Sequence, residues 1–208
     1  MFSHPLSLSL SKATRYDWTG RAANSIARAM IHTLHPHPDT PPLAVKSVAA
    51  QVIAADNHWL QLRWRVESAA SVVVPPLAGK GRADGLWQTT CFELFLRAPG
   101  ADGYVELNLS PSERWAAYDF TGYREGMAQR PMPRNSHCTW RRGRAFAIFD
   151  AEVPLAGLPP LPWDYGLTAV IEEQGGVKSC WAMAHAPGKP DFHHAACVAG
   201  HLAAPLAA

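Results

Sequence analysis

Two neighbouring runs in the middle of the chain alternate between apolar and mixed polar positions with a period of two. This is the period of a β-strand, in which successive side chains point to opposite faces. One face of the two runs carries Phe92, Leu94, Leu96, Val105, Leu107 and Leu109. The other carries Cys91, Glu93, Phe95, Tyr104, Glu106, Asn108 and Ser110. The pattern predicts two paired strands that present carboxylates, an amide and aromatic rings side by side.

Similar short segments recur along the chain and are separated by turn-forming residues. The 18 prolines and 15 glycines fall between them, and the one helical apolar stripe, at residues 24–30, is weak. We therefore predict an all-β fold, an antiparallel β-sandwich of about nine or ten strands, with closure into a barrel left open. The predicted strands are residues 45–54, 59–66, 72–74, 86–96, 104–110, 115–120, 138–141, 145–153, 166–172 and 177–184.

The ends of the chain differ from this central part. Residues 1–34 show no clear alternation and are predicted to form a poorly ordered or loosely attached extension, with Met1 or Met30 as the true start. Residues 35–42 contain four prolines, each of which removes a backbone donor, so we expect a lead-in arm outside any central strand. The sandwich is predicted to span residues 35–200, and residues 201–208 a C-terminal tail.

Composition narrows the setting without naming a function. With 208 residues, 48% hydrophobic and 17% charged, the chain can bury one substantial core. A formal charge of +2 provides no net field that would attract nucleic acid or an anionic membrane. No segment has the roughly 20 apolar residues that span a bilayer, and no secretory signal is recognisable at the start. We expect a cytoplasmic protein with neither nucleic-acid nor membrane partners; a protein partner is unknown.

The four cysteines are widely spaced and form no Cys-x-x-Cys pair, so zinc-ribbon and thioredoxin-type sites have no support. We expect reduced thiols, mostly buried as small apolar groups. The cluster of His185, Asp191, His193 and His194 suggests a metal site, but its spacing matches no metal motif. We predict no metal and no cofactor, and expect Asp191 and His193 to fix the shape of their loop through hydrogen bonds.

Taken together, several motifs resemble the bacterial DOMON-like proteins, relatives of the family 9 carbohydrate-binding modules. The resemblance covers roughly residues 35–198 and implies an immunoglobulin-like β-sandwich whose ligand is a sugar or a haem. Glu113 stands where these proteins usually have glycine, which leaves the geometry of that turn open. The motifs are Leu86-Trp87-Gln88, Thr90-Cys91-Phe92-Glu93, Tyr104-Val105-Glu106-Leu107-Asn108, Ser110-Pro111-Ser112, Trp115-Ala116-Ala117-Tyr118, Tyr123-Arg124-Glu125-Gly126-Met127, Trp181-Ala182-Met183-Ala184-His185 and Pro190-Asp191-Phe192-His193.

Sugar recognition requires aromatic faces for the apolar side of the ring and polar groups for its hydroxyls. The mixed face of the two central strands and the residues near it in sequence supply both. We therefore predict a non-catalytic module that binds a small polar ligand, a saccharide or sugar-containing metabolite. The predicted ligand-binding residues are Trp87, Glu93, Tyr104, Glu106, Asn108, Trp115, Tyr118, Arg124, His185 and His193.

Other interpretations remain open. Glu93 and Glu106 could instead form ion pairs with Arg63, Arg65 or Arg124 on a sheet surface. The same two glutamates would suit a glycoside hydrolase or sugar-modifying enzyme, since two opposed carboxylates can lie at the required separation. A haem-binding module or a protein-interaction module is a further alternative. As an axial haem pair, Met183 and His185 would lie two apart on one strand, which hinders their approach to opposite faces of one iron.

Overall fold

The computed structural model describes residues 30–204, and this part of the chain is all-β. It contains thirteen strands: β1 (Ile31–Pro36), β2 (Ser47–Ala55), β3 (Trp59–Glu67), β4 (Gly81–Arg82), β5 (Cys91–Arg97), β6 (Tyr104–Leu109), β7 (Arg114–Phe120), β8 (Ala128–Gln129), β9 (His137–Arg142), β10 (Phe146–Pro154), β11 (Trp163–Glu173), β12 (Val177–Ala182) and β13 (Gly200–Leu202). Helical structure in the described residues is limited to 3₁₀ turns of three residues each, at Ala69–Ser71, Leu86–Gln88, Leu155–Gly157 and Ala195–Cys197. None of these helices is long and apolar enough to cross a membrane.

The strands form one continuous, curled sheet. Its order is β4-β7-β6-β5-β11-β12-β1-β2-β3-β10-β9, with β13 beside β11 and β8 beside β7. All pairs of strands are antiparallel except β4 and β7, which run parallel. β1 joins the two halves, since residues 31–34 pair with β2 while His35 and Pro36 pair with β12.

The two halves of the curled sheet pack their apolar faces against each other. Phe92 of β5 stacks on Phe149 of β10 with ring centroids 4.2 Å apart, and Trp64 of β3 lies 5.4 Å from Phe92. All three side chains are fully buried. The predicted division of β5 and β6 into two faces is confirmed, because one face belongs to this main core. The other face lies outside it, where Phe95 and Tyr104 pack in a smaller cluster.

The sequence underestimated the number of strands. Thirteen strands are present in residues 30–204 instead of nine or ten, and the parallel β4–β7 pair departs from the predicted purely antiparallel order. The additional strands have two to six residues, too short for a clear alternation. At the predicted strand 72–74 there is only an isolated bridge from Val72 to Glu173.

The boundaries at the ends also differ in detail. β1 includes residues 31–34 of the predicted extension, and β13 includes residues 201 and 202 of the predicted tail. Residues 1–29, with most of the predicted short helix, lie outside the described residues.

His35 and Pro36 were expected outside any central strand, and this prediction is wrong. Pro36 is the last residue of β1, and hydrogen bonding to β12 resumes at His37, whose N–H donates to the carbonyl of Cys180 at 2.8 Å.

Glu113 adopts the backbone conformation expected of the glycine it replaces. Its φ of 70° lies in the left-handed region, in the turn that ends at β7. Glycine enters this region without steric cost, whereas other residues seldom do. The turn that leads into the site-bearing strand β7 thus keeps a glycine-like geometry.

Candidate functional site

The floor of the candidate site is the second face of the sheet half that contains β5, β6, β7 and β11. Across these strands Thr168 pairs with Glu93, and Glu93 pairs with Asn108. Glu106 lies two residues from Asn108 on the same face and pairs with Tyr118 of β7. Strand alternation therefore places Glu93, Asn108, Glu106 and Tyr118 on one side of the sheet.

Above this floor lies a cavity of about 740 Å³. Three loops, which contain Trp87, Arg124 and Phe192, contribute to its walls. These loops are far apart in sequence. The lining residues are Asp84, Gly85, Trp87, Glu93, Glu106, Asn108, Tyr118, Phe120, Arg124, Met127, Gln129, Val170, Cys180, Pro190, Phe192 and His193. The cavity thus combines apolar and aromatic walls with a polar floor, which is the usual composition of a small-molecule site.

Two of the wall-forming loops are tied together at Asp191. The guanidinium of Arg124 donates to the Asp191 carboxylate at 2.7 Å, and the hydroxyl of Tyr123 donates to the same carboxylate. Asp191 also accepts from the backbone N–H of His193 at 3.1 Å, which confirms its predicted role in shaping that loop. Arg124 has a φ of 56°, a left-handed conformation rare outside glycine. The position of this loop is therefore set by specific polar contacts.

A third loop is held by Asp84. The hydroxyl of Tyr118 donates to the Asp84 carboxylate at 2.6 Å, and Arg82 donates to it at 2.9 Å. The following residue, Gly85, has a φ of 71°, a left-handed conformation that residues with a side chain seldom adopt. Gly85 immediately precedes the 3₁₀ turn that contains Trp87. Trp87 is 55% exposed, so its ring remains available at the mouth of the cavity.

Glu93 and Glu106 are buried, with 3% and 7% of their surface exposed. Burial raises the pKa of both carboxyls, and for Glu93 the negative charge of Glu106 adds to the increase. Two hydrogen bonds act in the opposite direction: Thr168 Oγ1 donates to Glu93 Oε2 at 3.2 Å and Asn108 Nδ2 donates to Glu106 Oε1 at 2.8 Å. The alternative of ion pairs on an open sheet surface is not what the structure shows, since Arg63 pairs with Asp150 and Arg65 with Glu67.

His193 is a neutral imidazole at the edge of the carboxyl pair. Burial, followed by the positive charge of Arg124, lowers the pKa of His193 to about 4. Its Nδ1 lies 2.7 Å from the hydroxyl of Tyr104, which itself accepts from the backbone N–H of Arg124 at 3.3 Å. The second ring nitrogen of His193 is Nε2. That nitrogen faces Glu106 Oε2 at 3.7 Å.

No protein-family model matches the chain, and no curated protein matches it in sequence. The chain is similar in fold to several solved structures. A protein from Bacteroides uniformis ATCC 8492, described as a candidate carbohydrate-binding protein, has a TM-score of 0.56 at 14% identity, and the match covers 85% of each chain. A family 9 carbohydrate-binding module from Caldicellulosiruptor kristjanssonii, in complex with cellotriose, has a TM-score of 0.50 at 8% identity, with 85% of this chain and 82% of that chain covered. The chain shares its fold with these two proteins.

Seven of the ten residues predicted from the sequence line the cavity: Trp87, Glu93, Glu106, Asn108, Tyr118, Arg124 and His193. Tyr104 does not line the cavity, but its hydroxyl contacts two residues that do, His193 through Nδ1 and Arg124 through its backbone N–H. The placement of the other two, Trp115 and His185, does not match the prediction.

Trp115 is a core residue. It pairs with Leu109, on the apolar face of β7, and its indole N–H donates to Asn135 Oδ1 at 3.1 Å. His185 is also not among the residues that line the cavity, and its Nε2 contacts the backbone carbonyl of His35 at 2.8 Å. Its proposed partner in a haem pair, Met183, packs against the main core instead of the cavity.

Sequence reasoning missed several lining residues, among them Asp84, Gln129, Val170 and Phe192. Phe192 belongs to a motif that carried the family resemblance, and this was the available signal for it. Asp84 had no such signal, because its role depends on the contact with Tyr118. Three of the four cysteines are buried, and Cys180 is half-buried at the cavity wall. Within residues 30–204, no three His, Cys, Asp or Glu side chains are arranged to hold a metal ion.

Proposed function

We propose that this protein is a non-catalytic module that binds a saccharide or a sugar-containing metabolite in the cavity above β5 and β6. One observation carries the proposal: the cavity joins an exposed indole, Trp87, to a buried floor of hydrogen-bonding groups, Glu93, Glu106 and Asn108. A pyranose ring presents an apolar face and a rim of hydroxyls, which such a cavity complements. Its volume of about 740 Å³ is within the range of small-ligand sites.

The fold comparison supports this proposal independently of the cavity. A family 9 module of the same fold binds cellotriose, and the Bacteroides uniformis protein is described as a candidate for carbohydrate binding. We further propose that the curled sheet is a DOMON-like, immunoglobulin-like sandwich and that the protein acts in the cytoplasm. The first of these is supported by the packing of Phe92 on Phe149 between the two sheet halves.

Isothermal titration calorimetry with a panel of mono- and disaccharides tests the function. We expect at least one sugar to bind with a dissociation constant in the millimolar range or below and to raise the melting temperature in proportion to its occupancy. A Trp87→Phe variant tests whether the sugar binds beside this indole. The ligand-induced change in intrinsic fluorescence seen in the wild type should be lost in the variant, while calorimetry should still detect binding. The proposal is wrong if no saccharide binds or stabilises the protein at millimolar concentration.

A glycoside hydrolase is the second candidate, because Glu93 and Glu106 face the same cavity and burial raises the pKa of both carboxyls. A general acid requires such a raised pKa, whereas the second carboxylate of a hydrolase must be ionised. Chromogenic glycosides distinguish the two candidates. Hydrolysis by the wild type that is abolished in both Glu93→Gln and Glu106→Gln would establish the enzyme. Binding without hydrolysis would establish the module.

A further inference from the structure

The two carboxyl groups in the cavity have only neutral hydrogen-bonding partners within residues 30–204. Glu93 accepts from the hydroxyl of Thr168 at 3.2 Å, and Glu106 accepts from the amide of Asn108 at 2.8 Å. The imidazole of His193, 3.7 Å from Glu106, is neutral. An ionised carboxylate that is buried without a cationic partner is costly. Burial accordingly raises the pKa of both carboxyls, and a bound cation would favour their ionisation.

The nearby arginines bind other acids. Arg124 donates to Asp191 at 2.7 Å, and Arg82 donates to Asp84 at 2.9 Å. Arg124 lies close enough to lower the pKa of Glu106 through space, but its hydrogen bonds reach Asp191 and not the floor. Each of these arginines thus forms an ion pair with an aspartate outside the floor. The two carboxyls of the floor therefore have no arginine partner of their own.

The other titratable groups around the pair do not alter this balance. The pKa values of Cys91, Cys180 and Tyr118 are raised, in each case first by burial, so these side chains are neutral at physiological pH. The groups that face the carboxyls from the surrounding strands and loops are Asp84, Cys91, Tyr118, Arg124, Cys180 and His193. Only Asp84 and Arg124 among them are charged, and both are ion-paired.

We propose that the cavity selects amino sugars, in which a free ammonium group contacts Glu93 and Glu106, over the corresponding neutral sugars. This inference rests on the proposed function of saccharide binding. An ammonium group brings three donors and a positive charge to two acidic acceptors, whereas a hydroxyl brings one donor and no charge. The surrounding dielectric is low, which strengthens the attraction relative to water. N-acetylation removes this advantage because the amide is neutral.

Calorimetry on the full chain tests the inference at about pH 6, where the sugar amine is protonated. Glucosamine and galactosamine are compared with glucose, galactose and their N-acetylated derivatives. We expect the better amino sugar to bind at least about tenfold more tightly than its neutral counterpart. Binding should also release protons, because a cation favours ionisation of the pair. Titrations in two buffers of different ionisation enthalpy count those protons, and the neutral sugars should release none.

Two variants connect the preference to the carboxyls. Glu93→Gln and Glu106→Gln conserve shape and should each reduce the preference to less than about threefold. Glu152→Gln is the control, since it removes a carboxyl of β10 that pairs with His137 outside this cavity. A melting curve for each variant confirms that it folds. If a glutamine variant folds and retains the full preference, the inference is wrong.

The outcome separates this inference from the proposed function. Neutral sugars that bind as tightly as amino sugars would overturn the inference and leave the saccharide-binding function intact. Cyclohexylamine is included as a cation without sugar hydroxyls. If it binds with the carboxyl dependence described above while no sugar does, the acidic pair recognises an ammonium group and the saccharide function is wrong. If neither class binds, both are wrong.

Discussion

The hydroxyl of Tyr104 and Nδ1 of His193 lie 2.7 Å apart and join the strand β6 to the loop that closes the cavity. Tyr104 is 7% exposed and does not line the cavity, whereas His193 does. The hydrogen bond therefore transmits the position of a rigid strand to a ring that faces the ligand space.

Replacing Tyr104 with phenylalanine should reduce ligand affinity by about fivefold, because His193 loses the hydrogen-bonding partner that orients its ring, at a cost of about 1 kcal/mol. Titration calorimetry with the tightest-binding sugar measures this. The chain offers a matched control in Tyr165, whose hydroxyl lies 2.7 Å from His32 Nε2. Tyr165→Phe removes the same kind of bond away from the cavity and should leave affinity unchanged. Equal affinity losses in the two variants would indicate a general loss of stability.

Trp87→Ala should weaken saccharide binding by about tenfold and leave the melting temperature within about two degrees of the wild type. The indole is 55% exposed, so its removal opens no core cavity, while stacking on a sugar contributes about 1 kcal/mol or more. Leu77, 77% exposed and not among the cavity-lining residues, provides the control substitution Leu77→Ala. Unchanged affinity in the Trp87 variant would show that the indole does not contact the ligand.

Glu93→Gln should increase stability at neutral pH. Burial raises the pKa of Glu93 above its ordinary value of 4.5, so the folded state holds the proton more tightly than the unfolded chain. The stability that Glu93 contributes is therefore complete below about pH 4.5 and is lost as pH rises through the folded pKa. We expect the variant and the wild type to be equally stable at about pH 4, and the variant to be about 1–3 kcal/mol more stable at pH 7. Urea denaturation at both pH values provides the comparison, and a variant less stable at pH 7 would contradict it.

Glu173 should show the opposite pH dependence. Burial alone would raise the pKa of its carboxyl, but hydrogen bonds from Ser71 and from the backbone N–H groups of Leu43, Ala44 and Val45 outweigh it and lower the pKa. This stability is present above the ordinary pKa and is lost as pH falls through the folded value. Glu173→Gln should therefore destabilise the protein by about 3 kcal/mol at pH 7 and by less in acid, as measured by the same denaturation experiment. A neutral effect at pH 7 would contradict this account of the loop at residues 43–45.

Trp115→Phe should lower stability without affecting affinity. Trp115 is 6% exposed in the main core, and the smaller ring leaves a void and unpairs Asn135, at a cost of about 1–3 kcal/mol. Ligand titration of the folded variant should match the wild type. If the variant instead binds the ligand more weakly at unchanged stability, Trp115 contributes to ligand binding.

The sequence was most informative where a single strand carries its own signal. The two faces of β5 and β6 follow from a period of two, and so do the positions of Glu93 and Asn108 on one face. The same period shows why Trp115 was assigned wrongly: three residues from Tyr118 on β7, it must point to the opposite face. The sequence alone therefore showed that Trp115 and Tyr118 could not both face the cavity from one regular strand. β4 and β8, two residues each, could not be predicted, because their extended conformation depends on pairing with β7.

The walls of the site depended on contacts between distant residues. Asp84 reaches the site through the hydroxyl of Tyr118, 34 positions away, and Asp191 through Arg124, 67 positions away. No periodicity encodes such pairs, since they form only after the sheet has curled. The floor of the cavity was therefore predictable from individual strands, while the loops that enclose it were not.

β1 has a practical consequence for truncated versions of this protein. It is the strand between β12 and β2, so a chain that begins at residue 37 would expose unpaired backbone on both of those strands. Exposed edges of this kind recruit strands from other molecules and promote aggregation. Poor solubility of such a fragment would reflect two open β-edges, while Glu93, Asn108 and the cavity they line would be unaltered in sequence.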